Sequence, residues 1–272
     1  MIISYINGEW KEPGSLCQAI GIFKENFHKT VSVVGGGGKT TVIRRLMDEC
    51  RNAEIPCAVS TTTHIQKCDA EYFLGKPSVE MFRQIMIKYG VVWMGRETTD
   101  GKLASFQEEY LKEISREPGV LLLEADGAKR LPVKTPAEHE PVICEKTGIV
   151  LNVYGMRAIG KKIKDVCFRI GEVEKILGKT GEDILRPEDI MTLALSRSAG
   201  RKCVTDEMEY QVILNQADTE EEKQTAMQLA EDIGKKLSEK YISEKNTKDT
   251  EFSGKISKVH VTSDLIPLEE RW

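Results

Sequence analysis

Four consecutive glycines followed by Lys39, Thr40 and Thr41 carry the densest chemical signal in these 272 residues. Gly35, Gly36, Gly37 and Gly38 have no Cβ, so a polyphosphate can come close to their backbone N–H groups. Thr40 and Thr41 open a helix, whose free N–H groups and positive dipole end favour an anion. Lys39 would reach the terminal phosphates as a point charge, and the Thr40 hydroxyl would ligate Mg²⁺. Glu124 and Asp126 close the most apolar run of the chain, Val120 to Leu123. A phosphate site needs such acids to hold the Mg²⁺ water shell and polarise an attacking nucleophile. Strand alternation puts both on one face. The predicted catalytic residues are therefore Lys39, Glu124 and Asp126, with Thr40, Glu124 and Asp126 as the metal set.

Other polar clusters offer further contacts. Thr61, Thr62, Thr63 and His64 follow a buried strand, at the sheet edge where ligands bind in open α/β folds. Thr62 and Thr63 are expected to contact nucleotide or metal, although β-branched threonines also simply favour strands. Lys129, Arg130 and Lys134 lie in a turn-rich stretch and could meet phosphate or an acidic substrate, or form a solvated loop. Glu138-His139-Glu140 reads as metal ligands, an acid–base site or plain local polarity, since adjacent side chains seldom converge on one ion. Asn215 and Asp218 have the spacing of the base-reading N-K-x-D motif, with Gln216 in place of its lysine. That change shortens the stem along the base, so the expected nucleotide is ATP or GTP with a modest preference for ATP.

The elements that must position these groups alternate between apolar runs and amphipathic helices. Val31 to Val34 is a strand feeding the glycines, and Val42, Ile43, Leu46, Met47 and Cys50 form a helical stripe after them. Pro56 to Ser60, Val91 to Met94, Val120 to Glu124, Gly148 to Val153, Tyr210 to Leu214 and Val259 to Val261 read as further strands. Helices are predicted over Leu16–Phe27, Ser78–Lys88, from the Ser105/Glu108 capping pair, over 171–178 and 187–198, and after Thr219 with Glu222 as its box partner. Residues 243–255 are polar and read as a mobile loop. Such runs indicate a parallel sheet covered on both faces. The fold class is α/β: a P-loop NTPase-like three-layer fold with a mainly parallel sheet. Residues 1–272 form one nucleotide-binding domain with a helical insertion at about 160–205.

Composition narrows the function classes. The net charge of −4 argues against nucleic acid or an anionic membrane as the main partner. No apolar run approaches the roughly 20 residues of a membrane span, and the N-terminus lacks a signal peptide pattern. Seven cysteines with no C-x-x-C pair suit reduced thiols in a cytoplasm.

The eight-residue phosphate-loop pattern wants a glycine where Val33 stands, and the compact Gly35-to-Thr40 form resembles the loop of Mur-type amide ligases. In their order along the chain, Val33 to Thr41, Ser60 to Thr63, Glu124-Ala125-Asp126-Gly127-Ala128-Lys129, Pro136-Ala137-Glu138-His139-Glu140-Pro141 and Leu214 to Asp218 resemble a known family. It is the family of accessory proteins for selenium-dependent molybdenum hydroxylases, of YqeC type. The resemblance implies a cytoplasmic nucleotide-binding protein that helps mature such a hydroxylase, and it supplies no reaction. The expected activity is Mg²⁺-nucleotide binding and hydrolysis that drives a maturation step. Two rivals remain: an ATP-dependent ligase or phosphotransferase acting on a small acid, and a nucleotide-gated cofactor carrier that does not hydrolyse.

Overall fold

The computed structural model describes residues 1–24, 29–99, 101–245 and 257–263. Its main sheet contains β1 (Ile2–Ile6), β2 (Glu9–Lys11), β3 (Lys29–Gly35), β4 (Cys57–Thr61) and β5 (Phe73–Leu74). The remaining strands are β6 (Val91–Met94), β7 (Val120–Glu124), β8 (Thr147–Gly155), β9 (Glu209–Asn215) and β10 (Lys258–Thr262). Their spatial order is β2-β1-β10-β9-β8-β3-β7-β4-β6-β5. From β10 to β5 every neighbouring pair is parallel, whereas β1 runs antiparallel to β10 and β2 antiparallel to β1. The result is an α/β architecture with a large, mainly parallel sheet.

Register decides what meets at the carboxyl edge. Glu124 lies level with Val33 on one side and Thr61 on the other. Gly35 lies level with Val153, and Gly155 with Asn215. The ends of five neighbouring strands therefore converge around the glycines. That edge is where open parallel sheets present their loops.

Helices cover both faces. On one face α1 (Leu16–Ile20) and α2 (Lys39–Asn52) pack, with Val42, Ile43, Leu46 and Met47 seated on Val31, Val33, Leu122 and Leu151. The other face carries α3 (Val79–Tyr89) and α4 (Glu108–Ile114), with Phe82, Tyr110 and Ile114 against Leu121 and Leu123. Between β8 and β9 come α5 (Ile163–Val166), α6 (Ile170–Leu177) and α7 (Pro187–Leu195), and α8 (Glu220–Lys245) follows β9. Ile190, Leu193, Ala226, Ala230 and Ile233 cover Val34, Val150, Val212 and Leu214. Strands buried on both faces are why their sequences read as continuous apolar runs. Among the described residues no helix is long and apolar enough to cross a membrane.

Several expected boundaries move. The first helix stops at Ile20 because Gly21 adopts a left-handed conformation (φ 84°) and turns the chain. Residues 25–27 of that expectation lie outside the described residues. Ser105 does not cap α4: its hydroxyl donates to Phe106 O, and the helix begins at Glu108 behind Gln107. α7 ends at Leu195, short of residue 198, because Ser196 is extended. Thr219 and Glu222 do form the reciprocal cap, and α8 continues through residues 243–245 of the expected polar loop. The rest of that loop, 246–255, lies outside the described residues. The hairpin Ile2–Lys11 had no motif to announce it.

At the β1/β10 edge one titratable group is wholly enclosed. Gln211 Oε1 can only accept, so His260 Nε2 donates to it at 2.8 Å and Nδ1 takes a bond from the Ser4 hydroxyl at 2.8 Å. Burial, helped by nearby Lys258, pushes the His260 pKa down to about 3. The unfolded chain binds a proton near pH 6.5 and the folded chain does not, so stability falls as pH drops below that value. Between pH 7 and pH 5 the loss from this one group is about 2 kcal/mol. Chemical denaturation at the two pH values tests this, and His260→Gln should flatten the dependence while lowering stability at pH 7.

Candidate functional site

The glycine loop is built against backbone. β3 ends at Gly35 and α2 begins at Lys39, so only Gly36, Gly37 and Gly38 make the turn. Gly37 has φ 66°, and a Cβ there would lie 2.2 Å from Gly155 N. Gly35 has φ 94°, and its Cβ would lie 2.4 Å from Asn152 Oδ1. Asn152 cannot retreat, because its Nδ2 donates to Gly200 O and to the Tyr154 and Tyr210 hydroxyls. Gly36 N donates to Val153 O (2.9 Å) and Gly37 N to Leu131 O (3.3 Å). Asn215, 3% exposed, donates from Nδ2 to Gly37 O at 2.7 Å and accepts at Oδ1 from Thr262.

At the head of α2 the first intrahelical bond is Val42 N to Gly38 O. Among the described residues, the N–H groups of Gly38, Lys39, Thr40 and Thr41 meet no protein acceptor. Gly38 provides no side-chain cap. An uncapped helix start with free donors, glycines on one side and an ammonium and a hydroxyl in its first turn fits a phosphate group.

Lys39 is 5% exposed, and its ammonium donates to Gly35 O at 2.7 Å. It lies 3.1 Å from Asp126 Oδ1 and 3.9 Å from Glu124 Oε1. The Thr40 hydroxyl donates to Glu124 Oε2 at 2.8 Å. Alternation along β7 thus brings both acids to the loop, where they face different partners. Glu124 faces the Thr40 hydroxyl. Asp126 accepts from Gly35 N at Oδ2 (3.0 Å), and the same oxygen is 3.1 Å from Lys134 Nζ. Burial pushes the Glu124 pKa up, against the pull of Lys39 and the Thr40 bond.

Lys134 has no exposed side-chain surface, and its ammonium also sits 2.8 Å from Glu140 Oε2. Glu140 accepts from Ala137 N and from Arg169 Nε (3.2 Å), with Arg169 Nη2 at 3.1 Å. Burial alone would raise the Glu140 pKa, but Lys134 and Arg169 outweigh it and hold it at about 2. Lys134, Arg169 and Lys129 all stand over the Phe168 ring, at 6.0, 4.9 and 5.3 Å.

The other expected site residues fall at varying distances from this centre. Thr61 donates to Glu124 O, and Thr62 N donates to the same carbonyl. The Thr62 hydroxyl donates to Val142 O, while Thr63 N donates to Thr61 Oγ1. Thr61 and Thr62 thus tie the end of β4 to β7 at Glu124, while Thr63 only braces Thr61. Thr41 is half-buried in the first turn of α2. Lys129 is exposed and directed to Phe168. Asp218 pairs with Arg157 at 2.6 Å. Asn215 is brought to the loop as a brace beneath Gly37. Glu138 and His139 are exposed while Glu140 turns inward, so the three side chains do not share one centre. Sequence reasoning missed the Lys134–Glu140–Arg169 connection; a lysine in a turn-rich stretch ten residues after the end of β7 gives no sign of burial, and nothing links Arg169 to it.

The family model described as "YqeC protein" matches residues 31–171, just over half of the chain, and takes in the loop, both acids, Lys134, Glu140 and Arg169. The chain belongs to the YqeC family. It is also similar to the uncharacterized protein YqeC of Escherichia coli (strain K12), with 27% identity over 169 residues. That alignment covers 60% of this chain and 66% of the Escherichia coli YqeC, just under two thirds of its length. The matched region of the YqeC model ends at the head of α6, so Asn215 and Asp218 fall outside it.

Gly37→Ala should lower unfolding stability by about 2–4 kcal/mol, since left-handed strain and a backbone clash add together. Thermal and denaturant unfolding check this. A wild-type midpoint would mean that the loop is not packed as described.

Proposed function

We propose that this YqeC-family chain is a P-loop protein that binds Mg²⁺-nucleoside triphosphate and hydrolyses it to drive maturation of a partner protein. The observation that carries the reading is the pairing at the head of α2: Lys39 against Asp126 at 3.1 Å, and Thr40 donating to Glu124 at 2.8 Å. A lysine and a hydroxyl in the first turn of a helix, each set against an acid from the adjacent strand, are the groups that Mg²⁺-triphosphate chemistry requires.

In this reading the free N–H groups of Gly38 to Thr41 hold phosphate oxygens, and Lys39 exchanges Asp126 for the terminal phosphates. Bound Mg²⁺ supplies charge neutralisation at the phosphates, with the Thr40 hydroxyl and Glu124 holding it directly or through water. Glu124 is favoured over Asp126 as the metal acid, because both Asp126 oxygens already serve Lys39, Lys134 and Gly35 N. A cation beside Glu124 also offsets the burial that raises its pKa. Asn215 and Asp218 are both engaged within the protein, which supports weak discrimination between bases and the lean toward ATP over GTP. The resemblance to selenium-dependent molybdenum hydroxylase accessory proteins supports such a hydroxylase as the partner and a cytoplasmic setting.

Lys39→Ala should abolish nucleotide binding in calorimetric titration while the fold survives, because Asp126 keeps Lys134 and Gly35 N. Unchanged affinity in the folded variant would dispose of the reading. Glu124→Gln keeps shape and removes charge, and should cut Mg²⁺-dependent turnover by roughly 100-fold. Normal turnover and Mg²⁺ titration in that variant would show the carboxylate to be structural.

A further inference from the structure

Lys39 does not share Asp126 alone. From the loop outward, the charges run Glu124, Lys39, Asp126, Lys134, Glu140 and Arg169, alternating in sign, each within 3.9 Å of the next. Three acids and three bases cancel. The first five members are all under 9% exposed, and only Arg169 reaches the surface, with 30% of its side chain open. The series crosses four parts of the fold: the end of β7, the head of α2, the Lys134–Pro141 stretch and the head of α6.

Buried charges are costly unless each is matched, and removing one member strands its neighbour. That rule bears on ligand binding. When Lys39 turns to an anionic ligand, Asp126 loses a partner while enclosed by protein. Lys134, already 3.1 Å from the other Asp126 oxygen, keeps that carboxylate matched. How firmly Lys134 leans on Asp126 depends on how much of it Glu140 claims, and Glu140 is shared in turn with Arg169.

We propose that Lys134, Glu140 and Arg169 are positioning residues that set how readily Lys39 leaves Asp126 for nucleotide phosphates. Arg169 acts there without touching the glycine loop. The inference rests on the nucleotide-binding reading and adds to it a control line running from the head of α6 to the site. It also gives the Glu138-His139-Glu140 segment a role: Glu140 is the inward member that transmits charge. Lys202 pins the segment by donating to Ala137 O and Glu138 O.

The test is calorimetric titration of MgATP into the full chain, at low and high salt, with each variant's melting temperature recorded. Lys134→Met should weaken binding by at least about 30-fold, because Asp126 is then stranded when Lys39 leaves. The double variant Asp126→Asn with Lys134→Met removes the stranded charge and should recover most of that loss. Arg169→Met lies at the exposed end and keeps the core intact, so it serves even if Lys134→Met does not fold. Freed from Arg169, Glu140 draws Lys134 toward itself, and binding should weaken by about 5-fold. Because the chain is buried, these losses should persist at high salt, where a general surface field would be screened. Wild-type affinity in folded Lys134→Met or in Arg169→Met, losses that vanish at high salt, or no recovery in the double variant would each overturn the control line. Failure of the wild-type chain to bind MgATP would instead overturn the nucleotide reading, and the control line with it.

Discussion

One carboxylate fixes the architecture of the site. Asp126 accepts from the backbone of Gly35 through one oxygen and faces two buried ammonium groups, Lys39 and Lys134, with both. A lone carboxylate this deep would be strongly disfavoured, and so would either lysine. Together they hold one another in place. The constraint reaches far, because the three charges come from different elements: the end of β7, the first turn of α2 and the segment before β8. β7 must therefore lie beside β3 in one register, and the residue after the glycines must turn back under the loop. Such a buried cluster adds little net stability, but it discriminates against alternative packings that would leave a charge unmatched.

Beneath the glycines lies a second layer of polar groups, neutral this time. Asn152 is held by Tyr154, Tyr210 and Gly200 O, and Asn215 is held by Thr262. Asn215 fixes the Gly37 carbonyl, and Asn152 lies so close to Gly35 that no side chain fits there. Buried amides held by several hydrogen bonds rigidify a core and specify one arrangement. Here Asn215 is bonded at both ends, whereas Asn152 is held through Nδ2 and its Oδ1 meets no hydrogen-bond donor among the described residues. The glycines serve a packing need: the backbone of 153–155 and that of Leu131 and Pro132 come so close that a Cβ would clash.

The sheet was legible in the sequence because strands buried on both faces must be largely apolar: Val120–Leu123 and Val212–Leu214 are wholly so, and Val31–Val34 is interrupted only by Ser32, which bonds Thr147. The glycine loop and the two strand-end acids stood out as residue types, and the structure brings them together at the head of α2. What did not show was division of labour. Alternation put Glu124 and Asp126 on one face, but only the fold separates the one facing Thr40 from the one facing two lysines. Lys134 read as a contact for phosphate or an acidic substrate, or as part of a solvated loop; lysine seldom goes inside, and its burial depends on acids 8 residues before and 6 after it, at Asp126 and Glu140. Asn215 shares a spacing with base-reading motifs, yet a strand-end asparagine can equally brace a neighbouring turn, as it does here. The Ile2–Lys11 hairpin escaped notice because its partner, β10, is more than 240 residues away.

The loop's own hydrogen bonds are unequal. Gly37 N reaches Leu131 O at 3.3 Å, beyond the usual N–H···O range, whereas Gly36 N meets Val153 O at 2.9 Å. The first bond is weak and comes from a turn in which Lys129 and Arg130 both hold left-handed backbone, at φ 47° and 63°. The second is short and comes from the middle of the sheet. One loop donor is thus bound to the rigid core and the next to a strained, exposed turn. Strained backbone persists only where its surroundings hold it, and such segments cluster at working sites. At Gly37 a stronger acceptor can displace Leu131 O at little cost; at Gly36 it cannot. The loop is therefore fixed at its base and adaptable toward the head of α2, where its free donors lie.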